Sequence, residues 1–199
     1  PFFSGNSVNR KLLGTTVDTV GRSVIVPNAD LDMDQAGIPE EKAWDVFKPF
    51  VVRRLARQGL SPVRAAEMVT KKDPVARRAL QAEMEARPVR ITRAPILHRY
   101  GTMAFRPVLV PGHSIHLPPV VYKGFGADND GDQVNYHVPV SDDAVKEDLE
   151  RLLPSKNLFN VRNFAVHQLP QNEFLAGLYE ATQRENDSGA VPFDSVESV

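Results

Sequence analysis

Asp128, Asp130 and Asp132 occupy alternate positions in Gly126-Ala127-Asp128-Asn129-Asp130-Gly131-Asp132-Gln133. Three carboxylates in one turn repel one another unless a cation balances them. Gly131 lets the backbone curl, so all three side chains can point at one centre. An all-oxygen donor set suits Mg²⁺, which takes octahedral ligands at about 2.0–2.1 Å and keeps positions open for water or substrate phosphate. Two plainer readings compete. An Asp/Asn/Gly cluster taken alone is as often a solvated turn. A calcium loop of the EF-hand type would use the same aspartates as its first three ligands. Gln133, however, stands where that loop requires glycine, and Pro139 where it requires a bidentate glutamate, so that reading fails. A second run, Asn28-Ala29-Asp30-Leu31-Asp32-Met33-Asp34-Gln35, repeats the aspartate spacing without the glycine. It reads as a strand that buries Leu31 and Met33 and leaves Asp30, Asp32 and Asp34 in solvent, not as a metal site.

The elements around the loop must hold it. Residues 12–35 read as extended, with Val24-Ile25-Val26 β-branched. Residues 39–59 read as a helix: Pro39 suits a first turn, Gly59 a C-terminal cap, and Trp44, Phe47, Val51 and Leu55 share one face. Pro49 inside this pattern predicts a kink or break. Two shorter helices follow at about 62–70 and 74–86, the second opened by Asp73-Pro74. From Pro88 to residue 140 the composition turns to Val, Ile, Pro, Gly and His in short apolar runs, which is strand-and-turn chemistry. Ser141 then serves as an N-cap with Asp142 and Asp143 in the first turn. Ala144, Val145, Leu149, Leu152 and Leu153 form the expected buried stripe, and Pro154 stops the helix. A last helix is expected at about 171–183, followed by a polar, poorly ordered tail from Gln183.

The 199 residues suffice for one large domain or two small ones, and 42% hydrophobic with 25% charged residues is ordinary for a soluble globular protein. No apolar run is long enough to span a bilayer, and the start lacks the apolar core of a signal peptide. Without cysteine there are no disulfides and no thiolate metal sites. The net charge of −1 shows no basic excess, so contact with nucleic acid would have to come from local patches or partner chains. Because the first residue is Pro1, the chain is expected to be a fragment, a processed product or part of something longer.

Thr92-Arg93-Ala94-Pro95-Ile96-Leu97-His98-Arg99, then the aspartate loop, then His137-Val138-Pro139-Val140-Ser141 resemble the largest, β′-type subunit of bacterial RNA polymerase. That family carries RAPTLHR, NADFDGDQ and HVPLS in this order. Leu12-Leu13-Gly14 and Gly21-Arg22-Ser23-Val24-Ile25 are similar to its LLG…GRSVI, Phe47-Lys48-Pro49-Phe50 to its FKPF, and Gly177-Leu178-Tyr179 to its GLYY. The resemblance covers nearly the whole chain. It implies an α+β fold, a double-psi β-barrel with helical insertions. Residues 1–140 would form the catalytic barrel region, with strands in about 12–35 and 88–140 and a helical insertion over about 39–86. Residues 141–199 would form a C-terminal helical segment and polar tail.

The resemblance further implies the catalytic-barrel part of a DNA-directed RNA polymerase, in which Asp128, Asp130 and Asp132 hold a permanent Mg²⁺. A second Mg²⁺ would arrive with the nucleoside triphosphate, and the pair would activate the RNA 3′ hydroxyl and stabilise the leaving pyrophosphate. Arg93 matches an arginine near the incoming ribose, and Arg22 one near template DNA; read alone, Arg22 would be a surface ion pair. His98 and His137 fit family positions as buried, hydrogen-bonded histidines rather than metal ligands. The implied partners are a β-type subunit and the other polymerase subunits or segments, the DNA template, the RNA product and nucleoside triphosphates. No membrane is implied, and the expected location is the cytoplasm of a bacterial or virus-infected cell. There are departures. Asn129 replaces a phenylalanine, Gly126 an asparagine that helps recognise the ribose, and Thr15-Thr16 a Lys-Arg pair. The alternative is therefore a non-catalytic, polymerase-derived barrel module acting as scaffold or nucleic-acid-binding subunit. The chain is far shorter than a β′-type subunit and is expected to act only with the rest of the polymerase.

Overall fold

The computed structural model describes residues 19–171 and 173–182. Six short strands carry most of the apolar runs: β1 (Val20–Pro27), β2 (Gln35–Pro39), β3 (Val89–Thr92), β4 (Thr102–Val110), β5 (Ile115–Leu117) and β6 (Gln133–His137). They close into a barrel in the order β1-β5-β2-β4-β3-β6. The pairs β1–β5 and β2–β4 are parallel, and the other four are antiparallel. Strand β5 lies between β1 and β2, while β2 lies between β5 and β4. The β1–β2 link must therefore pass β5, and the β4–β5 link must pass β2. These interleaved crossings are the double-psi arrangement. Closure removes every exposed sheet edge.

Alternation along the strands supplies the core. Ile25, Ile38, Ile91, Phe105, Ile115, Leu117 and Val134 are buried, and the same cluster runs on into Trp44, Phe47, Val51, Leu55, Leu80 and Met84 of the helices. Gly37 on β2 is required by close approach. A Cβ there would meet Val110 Cγ1 at 2.6 Å and His116 Cβ at 2.8 Å. Gly37→Ala should therefore destabilise the fold by about 1–3 kcal/mol, the usual range for overpacking. Gly177→Ala, where nothing lies within 4 Å, should cost nothing. Denaturant midpoints measure both, and equal midpoints would contradict the packing described.

Three helices fill the connection from β2 to β3: α1 (Glu40–Arg57), α2 (Pro62–Thr70) and α3 (Pro74–Ala86). Ser61 Oγ accepts the Arg64 N–H at 3.3 Å and Asp73 Oδ1 accepts that of Val75 at 2.9 Å, so both helices are capped and α3 starts at the expected Asp73-Pro74. Of the kink or break expected at Pro49, the break does not occur: α1 continues through it. A proline inside a helix costs ~3 kcal/mol. Burial of Phe47, Phe50, Val51 and Leu55, at roughly 1.5–3 kcal/mol each, outweighs that cost.

Other expectations need correction. Among the described residues of the stretch 12–35, strand before β2 is confined to Val20–Pro27, and residues 28–34 form turns and bends. Leu31 and Met33 are only half-buried, so the alternating strand face read there is absent. The helix opened by Ser141 is short: α5 (Asp142–Glu147) passes into a π turn at Asp148–Leu152 and a 3-10 turn at Pro154–Lys156. Of the expected apolar stripe only Leu153 is buried. The fully buried side chain of the segment is Asp148, which bonds Arg90 of β3 and so draws the turn onto the barrel. The last helix, here α6, spans Glu173–Thr182. Leu12-Leu13-Gly14, Thr15-Thr16 and the tail from Gln183 lie outside the described residues. Among the described residues no helix is long and apolar enough to cross a membrane.

Candidate functional site

The aspartate loop links a short helix to the strand that closes the barrel. Helix α4, numbered here as the one-turn helix Tyr122–Phe125 that precedes α5, ends in Gly126 at φ 57°. The Ala127 N–H donates to Tyr122 O at 3.0 Å and the Gly126 N–H to Lys123 O at 3.2 Å, the paired bonds of a left-handed helix stop. Asparagine is the other residue that accepts this conformation. Gly126 in place of the family asparagine is thus compatible with the backbone and removes only a side chain. Beyond buried Ala127, residues 128–131 are exposed, Gly131 turns the chain at φ 102°, and half-buried Asp132 leads into β6. Asp132 O accepts the Ile25 N–H at 3.0 Å and ties the loop to β1.

Arg93, next after β3, grips the Asp132 carboxylate with both prongs. Its Nε donates to Oδ2 at 2.8 Å and its Nη2 to Oδ1 at 3.0 Å. The Asp128 N–H adds a bond to Asp132 Oδ2 at 2.9 Å, and the Asn129 N–H donates to Asp128 Oδ1 at 2.8 Å. Burial pushes the Asp132 carboxyl up. The Arg93 hydrogen bonds, the Asp128 N–H and the Arg93 charge together outweigh it and hold the group below the ordinary carboxylate range.

The structure thus brings Arg93 and Asp132 together, while Asp128 and Asp130 stand in solvent. Among the described residues no group of three or more His, Cys, Asp or Glu side chains is disposed as a metal centre. The donor chemistry nonetheless fits a hard cation, being carboxylate oxygen throughout. The second acidic run is engaged differently. Asp34 accepts the Ser155 N–H at 2.8 Å and the Ser155 hydroxyl at 2.6 Å. Asp30 and Asp32 sit in turns, where the Asn28 and Gln35 side chains bond their backbone N–H groups at 2.9 and 3.1 Å.

Arg22 is exposed on β1 opposite Asn135 of β6, with no ion pair among the described residues. Asn135 in turn faces Thr92, and Thr92 faces Thr102, their hydroxyls 3.1 Å apart. A polar row therefore crosses four strands beside Arg93. His98 is not the buried, hydrogen-bonded histidine expected: it is exposed, because the loop after β3 runs over the surface. Its ring lies 5.5 Å from that of Tyr100 and 5.7 Å from that of His167. His137 is half-buried opposite Arg90. Burial and the Arg90 charge lower its pKa against the opposing pull of Asp148. The clustering of His98 and Tyr100 with His167 had no signal in spacing, since these residues are distant in the chain.

A closed barrel whose last strand is entered through an acidic, arginine-braced loop now has a family. The family model for RNA polymerase Rpb1, domain 2, matches residues 14–87 and 63–153, and the chain belongs to that family. Within it the similarity is to the β′ side. The DNA-directed RNA polymerase subunit beta' of Chlorobium limicola is 39% identical over 191 residues, covering 94% of this chain and 13% of the relative. The subunit of the same name in Tropheryma whipplei is 43% identical over 175 residues, covering 87% and 14%. That of Marchantia polymorpha is 42% identical over 177 residues, covering 88% and 26%. The chain spans only 13–26% of the length of these relatives.

Proposed function

We propose that this chain supplies the catalytic barrel of a DNA-directed RNA polymerase, with Asp128, Asp130 and Asp132 as ligands of a resident Mg²⁺. The observation that carries the reading is the aspartate loop itself, held between α4 and β6 and anchored to β1 in a chain of this family. Once bound, the metal, with a second one entering on the nucleoside triphosphate, would activate the attacking hydroxyl and stabilise the leaving pyrophosphate. Asp128 and Asp130 are exposed and can converge about Gly131, and β6 presents Asp132 from a fixed position. Arg93 neutralises and orients Asp132, and the donors left on its planar fork suit the hydroxyls of a ribose. Arg22, exposed on β1 and without an ion pair among the described residues, suits a template phosphate. Residues 1–140 would be the barrel region and 141–199 the C-terminal segment. A β-type subunit and the remaining polymerase parts would complete the enzyme around DNA, RNA and nucleoside triphosphates. The rival reading, a non-catalytic scaffold module, draws on the ungathered carboxylates and on Gly126.

Metal titration tests the proposal. Mn²⁺ should broaden the amide signals of Asp128, Asp130 and Asp132 and spare those of Asp30, Asp32 and Asp34. The second run has no glycine at positive φ, and its Asp34 carboxylate is already taken by Ser155. Equal broadening at both runs, or none at residues 128–132, would remove the metal reading.

Arg93 gives a separate expectation. Loss of a charge-assisted hydrogen bond to a ribose hydroxyl should narrow discrimination between ribonucleotides and deoxyribonucleotides by roughly tenfold, about 1.4 kcal/mol. Arg93→Ala also unbraces Asp132 and so lowers both activities; the ratio of the two incorporation efficiencies isolates the ribose contact. An unchanged ratio in an active polymerase would leave Arg93 as a brace for Asp132 alone.

A further inference from the structure

We propose a second site, for a phosphate group borne by a nucleotide or by single-stranded nucleic acid, in the cavity between the 3-10 turn Arg99–Gly101 and the segment 160–167. The cavity encloses about 490 Å³, and its wall includes His98, Arg99, Tyr100, Asn160, Arg162 and His167. Among the described residues its lining contains no carboxylate, so the charge it presents is positive only.

The wall is built rather than incidental. Tyr100 and His167 lie ring against ring, with centroids 3.9 Å apart, and the Tyr100 hydroxyl donates to Phe159 O at 3.1 Å. His167 is 9% exposed, and its Nε2 is buried with no hydrogen-bond partner. A buried polar atom without a partner is rare and costly, and a bound group that accepts or donates there removes the cost. Burial, His98 and Lys123 in turn lower the pKa of His167; an anion in the cavity would offset this positive surround. Arg99 is held by a neutral acceptor, its Nη2 donating to Asn157 Oδ1 at 3.0 Å, so its charge is not cancelled. Asn157 is itself fixed through bonds from its Nδ2 to Arg151 O at 2.7 Å and Leu153 O at 3.0 Å.

The opposite side is a small closed loop. Phe159 bridges Val166, the Asn160 N–H donates to Ala165 O at 2.9 Å, and the Phe164 N–H donates to Asn160 O at 2.8 Å. This loop carries Arg162 at the rim, exposed and paired with no acid among the described residues. Two guanidinium groups form a donor set for phosphate oxygens, with the His167 ring in the wall beside them. The exposed His98 ring gives a face on which a base can stack.

The test uses the 199-residue chain in EDTA, which keeps it independent of any metal at the aspartate loop. Adenosine monophosphate, adenosine and an oligothymidylate of about eight residues, within the usual single-strand site sizes, are titrated while the histidine ring signals are followed by NMR. Adenosine monophosphate should shift His98 and His167 and leave His113 unmoved. Arg162→Ala should raise its Kd about tenfold and Arg162→Lys less. Among the described residues the Arg162 side chain is exposed and the hydrogen bond of this residue is made by its backbone N–H, so both variants should keep the wild-type denaturation midpoint. Tighter binding of the oligonucleotide identifies a strand as the source of the phosphate, and tighter binding of the monophosphate a free nucleotide. Equal shifts with adenosine, no shift at His98 and His167, or an unchanged Kd in Arg162→Ala would overturn the proposal.

Discussion

On the proposed function, Asp130→Ala in the assembled polymerase is expected to lower RNA synthesis on the order of 10³-fold. A metal clamp on a transferring phosphoryl group contributes several kcal/mol, and each 1.36 kcal/mol is tenfold in rate. Asp130 is the cleanest of the three aspartates for this purpose. Its side chain is exposed and bonds nothing among the described residues, so its loss should leave the denaturation midpoint where it was. Asp132→Ala would confound chemistry with the loss of the Arg93 brace, and Asp128→Ala with the loss of the bond from the Asn129 N–H. The measurement is single-nucleotide addition at saturating substrate by the assembled enzyme. Synthesis at the wild-type rate would leave the scaffold reading standing.

The second large effect is on stability. Asp148 is fully buried, and its Oδ1 accepts two donors from Arg90, including Nε at 2.9 Å. Removing one partner of a buried pair strands the other charge, at about 3–5 kcal/mol. The Arg90 side chain keeps 25% exposure, so water relieves part of the penalty, and about 3 kcal/mol is expected for Asp148→Ala. Replacing both partners by leucine should recover much of the loss, because an apolar pair has no charge to strand. Urea unfolding of the two variants decides it. A single variant within ~0.5 kcal/mol of wild type, the usual scale for surface substitutions, would show that the contact is not a buried pair. The effect should also reach the site, since Arg90 faces His137 across β3 and β6, and β6 begins where the aspartate loop ends.

Local chemistry was the legible part. Asp73-Pro74 marked the start of α3, because a cap and a proline at the first position act over a few residues. Pro49 shows the limit of such rules: the local penalty was read correctly, but burial of the face around it decides the outcome. The run at 28–34 shows another. Its alternation of Leu and Met with Asp imitates a strand, while its actual conformation depends on Ser155, far along the chain, and on the Arg106 N–H that bonds Asp34 O at 2.7 Å. The barrel and both halves of the Arg93–Asp132 pair were singled out, the barrel and Arg93 through family likeness. That the two side chains meet could not be read from either alone, because the contact exists only once β3 and β6 lie side by side.

The strand order also sets a timetable for synthesis. Strand β1 is antiparallel to β6, with Val20 opposite His137, so one edge of β1 has no neighbour in the barrel until β6 arrives. At about 5–20 residues per second the nascent chain waits several seconds with that edge open. The helices between β2 and β3 can pack meanwhile, because their contacts are close in sequence. The ribosome must then deliver the aspartate loop just before the strand that shuts the barrel. A chain interrupted before β6 therefore keeps an adhesive strand edge and lacks an anchored acidic loop, so a truncated product is expected to aggregate.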